Sequence, residues 1–195
     1  MDPRVIEFQS IMPMENIPSV LAQGILSYER TAKLRHKSVA MQPVQDRRDA
    51  RRVPGGLMLH HYANLYFHAR NPMMFSRKDQ AEHLCVLRVS TEVVSLDGVV
   101  FADRNASSDW VRFLPPSHWQ LLDFDGIYSQ DWRHPDKFEY YARKSKKCAE
   151  VLVPERVDAA YLTGAYVASK EAEARLSTHY GFCLPVTVDS RLFFR

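Results

Sequence analysis

The stretch Lys147-Cys148-Ala149-Glu150-Val151-Leu152-Val153-Pro154 passes from a helical pattern into a strand. Upstream of it, residues 137–148 are polar, basic and free of Gly and Pro, which predicts a helix. Val151, Leu152 and Val153 are a short apolar run, and Pro154, with no N–H to donate to a neighbouring strand, stops it. Glu150 therefore opens a predicted strand, 150–153, at the end of a basic helix.

Working outward, residues 57–59, 65–69, 84–89, 93–96 and 99–102 are further short runs rich in Val, Leu, Tyr and Phe, each bounded by turn residues, and predict strands. Residues 5–10 alternate apolar and polar side chains and predict a first strand. Asn16 is a suitable N-cap for a helix carrying Ile17, Val20 and Leu21, which Gly24 stops. Residues 161–168 and 184–188 predict the last strands, with an amphipathic helix at 170–180 between them. A helical signal from Val44 ends at the Pro54-Gly55-Gly56 turn, and residues 105–132 read as irregular, broken by Pro115-Pro116. The strands do not alternate regularly with helices, so α+β is expected and a doubly wound sheet is disfavoured. The commonest nucleotide-binding signatures, G-x-G-x-x-G after a strand and G-x-x-x-x-G-K-[ST], are absent.

With 195 residues, 46% hydrophobic and 25% charged, the chain has the composition of one soluble globular domain over 1–195. Cys85, Cys148 and Cys183 are far apart, which argues against a disulfide framework and a cysteine zinc site. His60, His61 and His68 have no carboxylate or cysteine at ligand spacing, so no metal is expected. MDPRVIEFQS lacks the basic and apolar regions of a signal peptide, and no run approaches the roughly 18 apolar residues of a membrane helix. No membrane association and a cytoplasmic location are expected. The net charge of +3 is uneven. Arg30, Lys33, Arg35, Lys37, Arg47, Arg48, Arg51 and Arg52 crowd one stretch, and Arg133, Lys137, Arg143, Lys144, Lys146 and Lys147 another. Such clusters suit an anionic partner, although charge alone is equally consistent with a solvated helix face.

Three ordered segments carry a family resemblance: residues 16–26 (NIPSVLAQGIL), residues 55–74 (Gly55-Gly56 through His60-His61-Tyr62 and Arg70-Asn71-Pro72-Met73-Met74), and residues 147–154. Together they resemble the DarT DNA ADP-ribosyltransferases, over roughly residues 5–168. The resemblance implies an ADP-ribosyltransferase-type fold, a split mixed β-sheet around a central NAD cleft with flanking helices. It further implies NAD⁺ as ADP-ribose donor, single-stranded DNA as acceptor, and a macrodomain antitoxin as partner of a toxin. The family's catalytic glutamate matches Glu150, and its arginine falls at Arg48 or Arg47, with Arg48 favoured. Met12, Met14, Gly24, Arg48, Arg51, Tyr66 and Met74 are the implied NAD contacts, and Arg70, Asn71, Arg143 and Lys146 the implied DNA contacts.

These residue types suit that chemistry. Breaking the nicotinamide–ribose bond develops positive charge on the sugar, which a carboxylate stabilises, and a carboxylate can take a proton from the attacking base. An arginine grips a pyrophosphate through paired hydrogen bonds. Tyr66, Phe67 and Met74 offer flat or polarizable surfaces, although only one of Tyr66 and Phe67 can face a cleft from a strand. The chain departs from the familiar pattern at Pro13, where a His is usual, and at Asn71-Pro72, where Ser-Pro is usual. Arg-Asn-Pro-Met is associated with guanine and the Ser-Pro branch with thymine, so guanine is the expected acceptor base, ahead of thymine. Three rival readings are a transferase acting on RNA or protein, a non-catalytic nucleic-acid-binding module, and a metal-dependent nuclease using Asp97 or Asp103 with Asp123 and the Glu139…Lys144 neighbourhood.

Overall fold

The computed structural model describes residues 1–32, 34, 36–37 and 42–195. Lys33 and Arg35 of the first basic stretch lie outside the described residues. The strands are β1 (Phe8–Pro13), β2 (Ile25–Leu26), β3 (Tyr62–Tyr66), β4 (Leu84–Val89), β5 (Val100–Ala102), β6 (Phe113–Leu114), β7 (Glu150–Pro154), β8 (Arg156–Val157), β9 (Leu162–Val167) and β10 (Val186–Val188). The α-helices are α1 (Ile17–Gln23), α2 (Tyr28–Thr31), α3 (Gln42–Asp49), α4 (Pro72–Phe75), α5 (Phe124–Tyr128), α6 (Lys137–Lys146) and α7 (Lys170–Ala174). The main sheet runs β10-β9-β4-β1-β3-β7-β5-β6, and β2 pairs with β8 apart from it. Among the described residues only β9 and β10 pair in parallel; the other ladders are antiparallel. The fold is α+β with a large mixed sheet, as expected.

That sheet is nearly split. β1 pairs with β4 along its whole length, from Phe8↔Val89 to Pro13↔Leu84, but touches β3 only at Gln9↔Tyr66. Beyond this bridge β1 and β3 diverge, and the gap between them is the mouth of the main cleft. Side chains hold the two halves together at the bridge. The Gln9 side chain accepts from the Ala69 N–H (2.7 Å) and donates to Glu7 (2.9 Å), which in turn accepts from Arg88 Nε on β4 (2.5 Å). Phe67 packs edge-on against Phe8 (5.4 Å) from one half and Phe101 (5.4 Å) from the other, so an aromatic core spans the split.

β1 is buried on both faces: Phe8 and Met12 enter the main core, and Ile11 enters a second one with Met74, Leu84 and Val86. A doubly buried strand shows no apolar–polar alternation, which is why the pattern at 5–10 places it three residues too early. Residues 57–59 form no strand; Met58 makes an isolated bridge to Arg52 and Leu59–His61 is a 3-10 turn. The expected strand at 65–69 lies instead at Tyr62–Tyr66, because the chain leaves the sheet at Phe67 to enter the core. The expected strand at 93–96 is not formed: residues 93–95 belong to a 3-10 turn, Thr91–Ser95, whose start the Ser90 hydroxyl caps through the Glu92 N–H (3.2 Å), and Leu96 follows it. The helix at 170–180 is α7 continued by a π-helical turn, Arg175–His179. Asn16 makes no capping bond to α1; its amide is bound to the Lys37 backbone (2.8 and 3.1 Å). Among the described residues no helix is long and apolar enough to cross a membrane.

Candidate active site

The cleft between β1 and β3 has a volume of about 580 Å³, ample for a nucleotide-sized ligand. The end of β1, the inner face of β3, α3 and the loop after β5 wall it. Side chains on a strand alternate, so Tyr62, Asn64 and Tyr66 turn to the cleft while Ala63 and Leu65 enter the core. Tyr66 stands directly opposite Glu150 in the β3–β7 register, which puts both side chains on the same face. Phe67 belongs to the core, so Tyr66 is the one that meets the cleft.

Glu150 is 2% exposed and both of its oxygens are engaged. Oε2 accepts from Arg48 Nη1 at 2.9 Å, and Oε1 accepts from the Ala106 N–H at 2.9 Å and, more weakly, from the same Nη1 at 3.3 Å. Arg48 comes from α3 and is 5% exposed. Arg47 points some 100° away around that helix and is exposed at the cleft wall. An isolated buried carboxylate or guanidinium is costly, whereas the pair satisfies both. Burial and the Glu150 charge push the Tyr66 phenol well above its ordinary value, so it is a hydrogen-bond donor at neutral pH. Cys148, also at the cleft, is pushed up to about 12 by burial and by Glu150, and remains a thiol.

The Ala106 N–H is presented by the loop between β5 and β6, and charged side chains fix that loop. Burial alone would raise the Asp103 carboxyl, but backbone and side-chain bonds from Arg112 (3.0 and 2.8 Å), with Arg104 beside it, hold it below its usual value. From the other side Arg51 donates to the Ser108 carbonyl and pairs with Asp109 (2.6 Å). Ala106 carries no signal in the sequence, because a backbone donor has no residue signature, and Asp103, a candidate metal ligand in the nuclease reading, instead braces this loop. Behind β7, Lys147 is 1% exposed and donates to the Ile127 and Ser129 carbonyls (2.8 Å each) with His68 Nδ1 at 3.3 Å, which ties α5 to the sheet. Burial lowers Lys147 to about 8 and His68 to about 4.

Of the residues expected to touch NAD, Met12, Arg48 and Tyr66 line the cleft, as do Arg47 and Glu150. Met14 and Met74 are packed in the cores, because their positions in the 3-10 turn after β1 and in α4 face inward. Gly24 holds the C-terminal turn of α1 at φ +81°, where a Cβ would stand 2.1 Å from the Val157 carbonyl. Arg51 is engaged by the loop as described. Among the expected DNA contacts, Arg70 lies over the Phe194 ring at 3.9 Å and donates to the Arg191 carbonyl (2.8 Å). Asn71 is fully buried; it accepts from Met73 and Met74 N–H (3.0 and 3.1 Å) and donates to the His68 carbonyl (3.1 Å), capping α4. Arg143 faces Glu139 (3.5 Å), and Lys146 pairs with Asp123 (2.8 Å). The nuclease reading finds no geometry: Asp103 is bound to arginines, Asp123 to Lys146, and among the described residues no group of three His, Cys, Asp or Glu is placed to hold a metal.

Residues 10–194 match the family described as "ssDNA thymidine ADP-ribosyltransferase, DarT". A DNA ADP-ribosyl transferase–DNA ADP-ribosyl glycohydrolase fusion protein of Thermosipho africanus is 30% identical over 207 residues, which take in 100% of this chain and 51% of that protein. A DNA ADP-ribosyl transferase of Thermus sp. is 28% identical over 155 residues, 73% of this chain and 72% of that one. The structure of Thermosipho africanus DarTG in complex with ADP-ribose superposes with a TM-score of 0.83 at 28% identity, covering 96% of this chain and 51% of that chain. The chain thus spans about half the length of the Thermosipho fusion protein.

Proposed function

The chain belongs to the DarT family, and on that premise we propose that it transfers ADP-ribose from NAD⁺ to a base of single-stranded DNA and releases nicotinamide. The observation that carries the reading is the buried Glu150 carboxylate, fixed by Arg48 and the Ala106 N–H beside a nucleotide-sized cleft. The ADP-ribose bound by the Thermosipho relative and the transferase names of both relatives support it.

In this mechanism the C–N bond between ribose and nicotinamide breaks, and the electron pair leaves with nicotinamide. Positive charge grows on the sugar beside Glu150. A unit charge pair about 4 Å apart is worth about 4 kcal/mol at an effective dielectric of about 20, or roughly a thousandfold in rate. A base nitrogen then bonds to the ribose carbon and loses its proton to the Glu150 carboxylate. Arg48 orients Glu150 through Nη1 alone, which leaves the rest of its fork for the pyrophosphate. Tyr66 and Met12 flank the reacting sugar or the nicotinamide ring. Arg47, at the cleft wall, is the second candidate for the phosphates.

Thymine is the first choice of base and guanine the second. The Arg70-Asn71-Pro72-Met73 turn argued for guanine, but the Asn71 amide is consumed by the α4 cap and cannot reach a base edge, and the family description names thymidine. The chain acts as the toxin of a pair, in the cytoplasm where DNA is accessible. Its antidote is a macrodomain-type hydrolase; the Thermosipho relative carries a DNA ADP-ribosyl glycohydrolase in the same polypeptide.

Incubation with labelled NAD⁺ and oligonucleotides lacking one base at a time, followed by mass spectrometry, tests the assignment. Modification that disappears only without thymine is expected. Loss only without guanine reverses the order of bases, and labelling of RNA or protein in place of DNA overturns the acceptor.

A further inference from the structure

The residue that joins the two halves of the split sheet is not itself a wall of the cleft. Gln9 on β1 is the register partner of Arg88 on β4 and of Tyr66 on β3, and Tyr66 is in turn the partner of Glu150 on β7. Residues directly opposite one another share a face, so Arg88, Gln9, Tyr66 and Glu150 form one row across four strands. Neighbouring strands lie about 4.8 Å apart, which sets the Gln9 backbone about 10 Å from that of Glu150.

Both ends of the Gln9 amide are engaged in this row. Gln9 is 7% and Glu7 6% exposed. The Gln9 oxygen accepts from the Ala69 N–H (2.7 Å), and its NH₂ donates to Glu7 Oε1 (2.9 Å). Glu7 Oε2 accepts from Arg88 Nε (2.5 Å), and the Arg88 guanidinium lies over the Tyr166 ring at 5.1 Å. The surroundings on this face are apolar or aromatic: Ile11, Val86, Tyr66 and Tyr166. An apolar side chain would fill such a place with no polar group to satisfy, so packing alone does not account for a glutamine here.

The consequence of the clasp lies at the cleft. Met12 and Pro13, further along β1, form one wall; Tyr66, Glu150 and the Pro72–Met73 start of α4 belong to the other. Among the described residues β1 and β3 pair only at Gln9↔Tyr66, and the Gln9–Ala69 bond ties β1 to the segment that runs into α4. We propose that Gln9 is a positioning residue for ADP-ribose transfer: clasped between the Ala69 N–H and Glu7, its amide holds the two halves at the separation at which one NAD⁺ spans both walls. The proposal rests on the transferase reading. Gln9 does not line the cleft, so it acts through the walls and not on the reacting atoms. Without the clasp the halves populate a wider state, NAD⁺ binds only the closed fraction, and its apparent affinity falls by that fraction. Bound NAD⁺ then holds the walls itself, and bond breaking proceeds at the native rate. Weaker binding at constant turnover is therefore the signature.

The test is calorimetric binding of NAD⁺ by the purified chain, beside kcat and KM for NAD⁺ with a thymidine-containing single-stranded oligonucleotide. Gln9→Met keeps the length and removes both bonds. It should raise Kd and KM about tenfold, the worth of roughly one net hydrogen bond, and leave kcat within about twofold. Gln9→Glu keeps the acceptor for the Ala69 N–H but sets a second carboxylate against Glu7, and should show the same rise. Adding Glu7→Gln to it returns the missing donor by exchanging the two groups across their bond, and should bring Kd and KM to within about threefold of native. This exchange keeps a polar side chain at both positions, and carries the test if Gln9→Met does not fold. Val93→Ala, in the main core and away from the cleft lining, controls for lost stability and should melt lower with a native KM. Native Kd in Gln9→Met overturns the positioning role, as does an equal rise of KM in Val93→Ala or a Gln9→Glu defect that Glu7→Gln leaves unrepaired. A native chain that binds no NAD⁺ overturns the transferase reading and the role of the clasp with it, whereas normal native turnover beside unchanged binding in Gln9→Met overturns the clasp alone.

Discussion

Replacing Glu150 by Gln keeps the side-chain volume and removes the charge, and the structure sets the size of two separate effects. In the native chain one carboxylate oxygen takes the Ala106 N–H and the other takes Arg48 Nη1. A carboxamide has a single acceptor oxygen. Turned toward Ala106, it sets its NH₂ against the guanidinium; turned toward Arg48, it sets that NH₂ against the Ala106 N–H. Either way one buried donor loses its acceptor, at about 1–3 kcal/mol. Removing one partner of a fully buried ion pair costs about 3–5 kcal/mol, but the cleft admits water to Arg48, so about 2 kcal/mol is the working figure. For a chain of this length that lowers the melting temperature by roughly 4–8 °C. Transfer falls further, by about a thousandfold, because the developing charge on the ribose loses its counter-charge. Calorimetry gives the first quantity and mass spectrometry of a modified oligonucleotide the second. A variant that melts within a degree of native shows that the Arg48–Glu150 pair is not buried as described. One that keeps more than a tenth of the rate removes the carboxylate charge from the mechanism.

Gly24→Ala should destabilise the fold by about 2 kcal/mol through its positive φ and the contact with the Val157 carbonyl, without altering the KM for NAD⁺; a raised KM at unchanged melting temperature would return Gly24 to the cofactor site. Asn71→Ala should lose about 1–2 kcal/mol with the α4 cap, whereas Asn71→Ser keeps a capping oxygen; neither should change the base modified, and a switch of base in either would show that Asn71 reads it. The unfolded chain holds the Lys147 proton up to about 10.5 and the folded chain releases it near 8. Between those values the unfolded state binds more protons, so this group's contribution to stability rises with pH. Denaturation free energy of the native chain should therefore climb relative to Lys147→Met from pH 8 to pH 10.5, and a constant difference across that range would show that Lys147 is not buried as a cation.

Local signals decided much of this protein. The strands at 84–89 and 150–153, the α1 stop at Gly24 and the helix before Glu150 follow from runs of apolar residues, a proline without an N–H and a glycine able to take positive φ, all properties of a few neighbouring residues. Glu150 and Arg48 could be singled out because, of the three segments that resemble the family, one contains Glu150 and two enclose Arg48. Tertiary structure alone decided what those residues touch. It bridged 102 positions of sequence to set Arg48 on Glu150, and it supplied the Ala106 N–H, a donor every residue but proline possesses. It turned Asn71 inward as a helix cap and buried Met14 and Met74, since the choice between core and cleft depends on which side of an element its neighbours cover. It also chose the face of α6, pairing Arg143 and Lys146 with acids and leaving Phe138 and Tyr141 bare. Sequence fixes the period of a helix or strand, but only packing against the rest of the chain fixes its rotation, and every side-chain role in the cleft depends on that rotation.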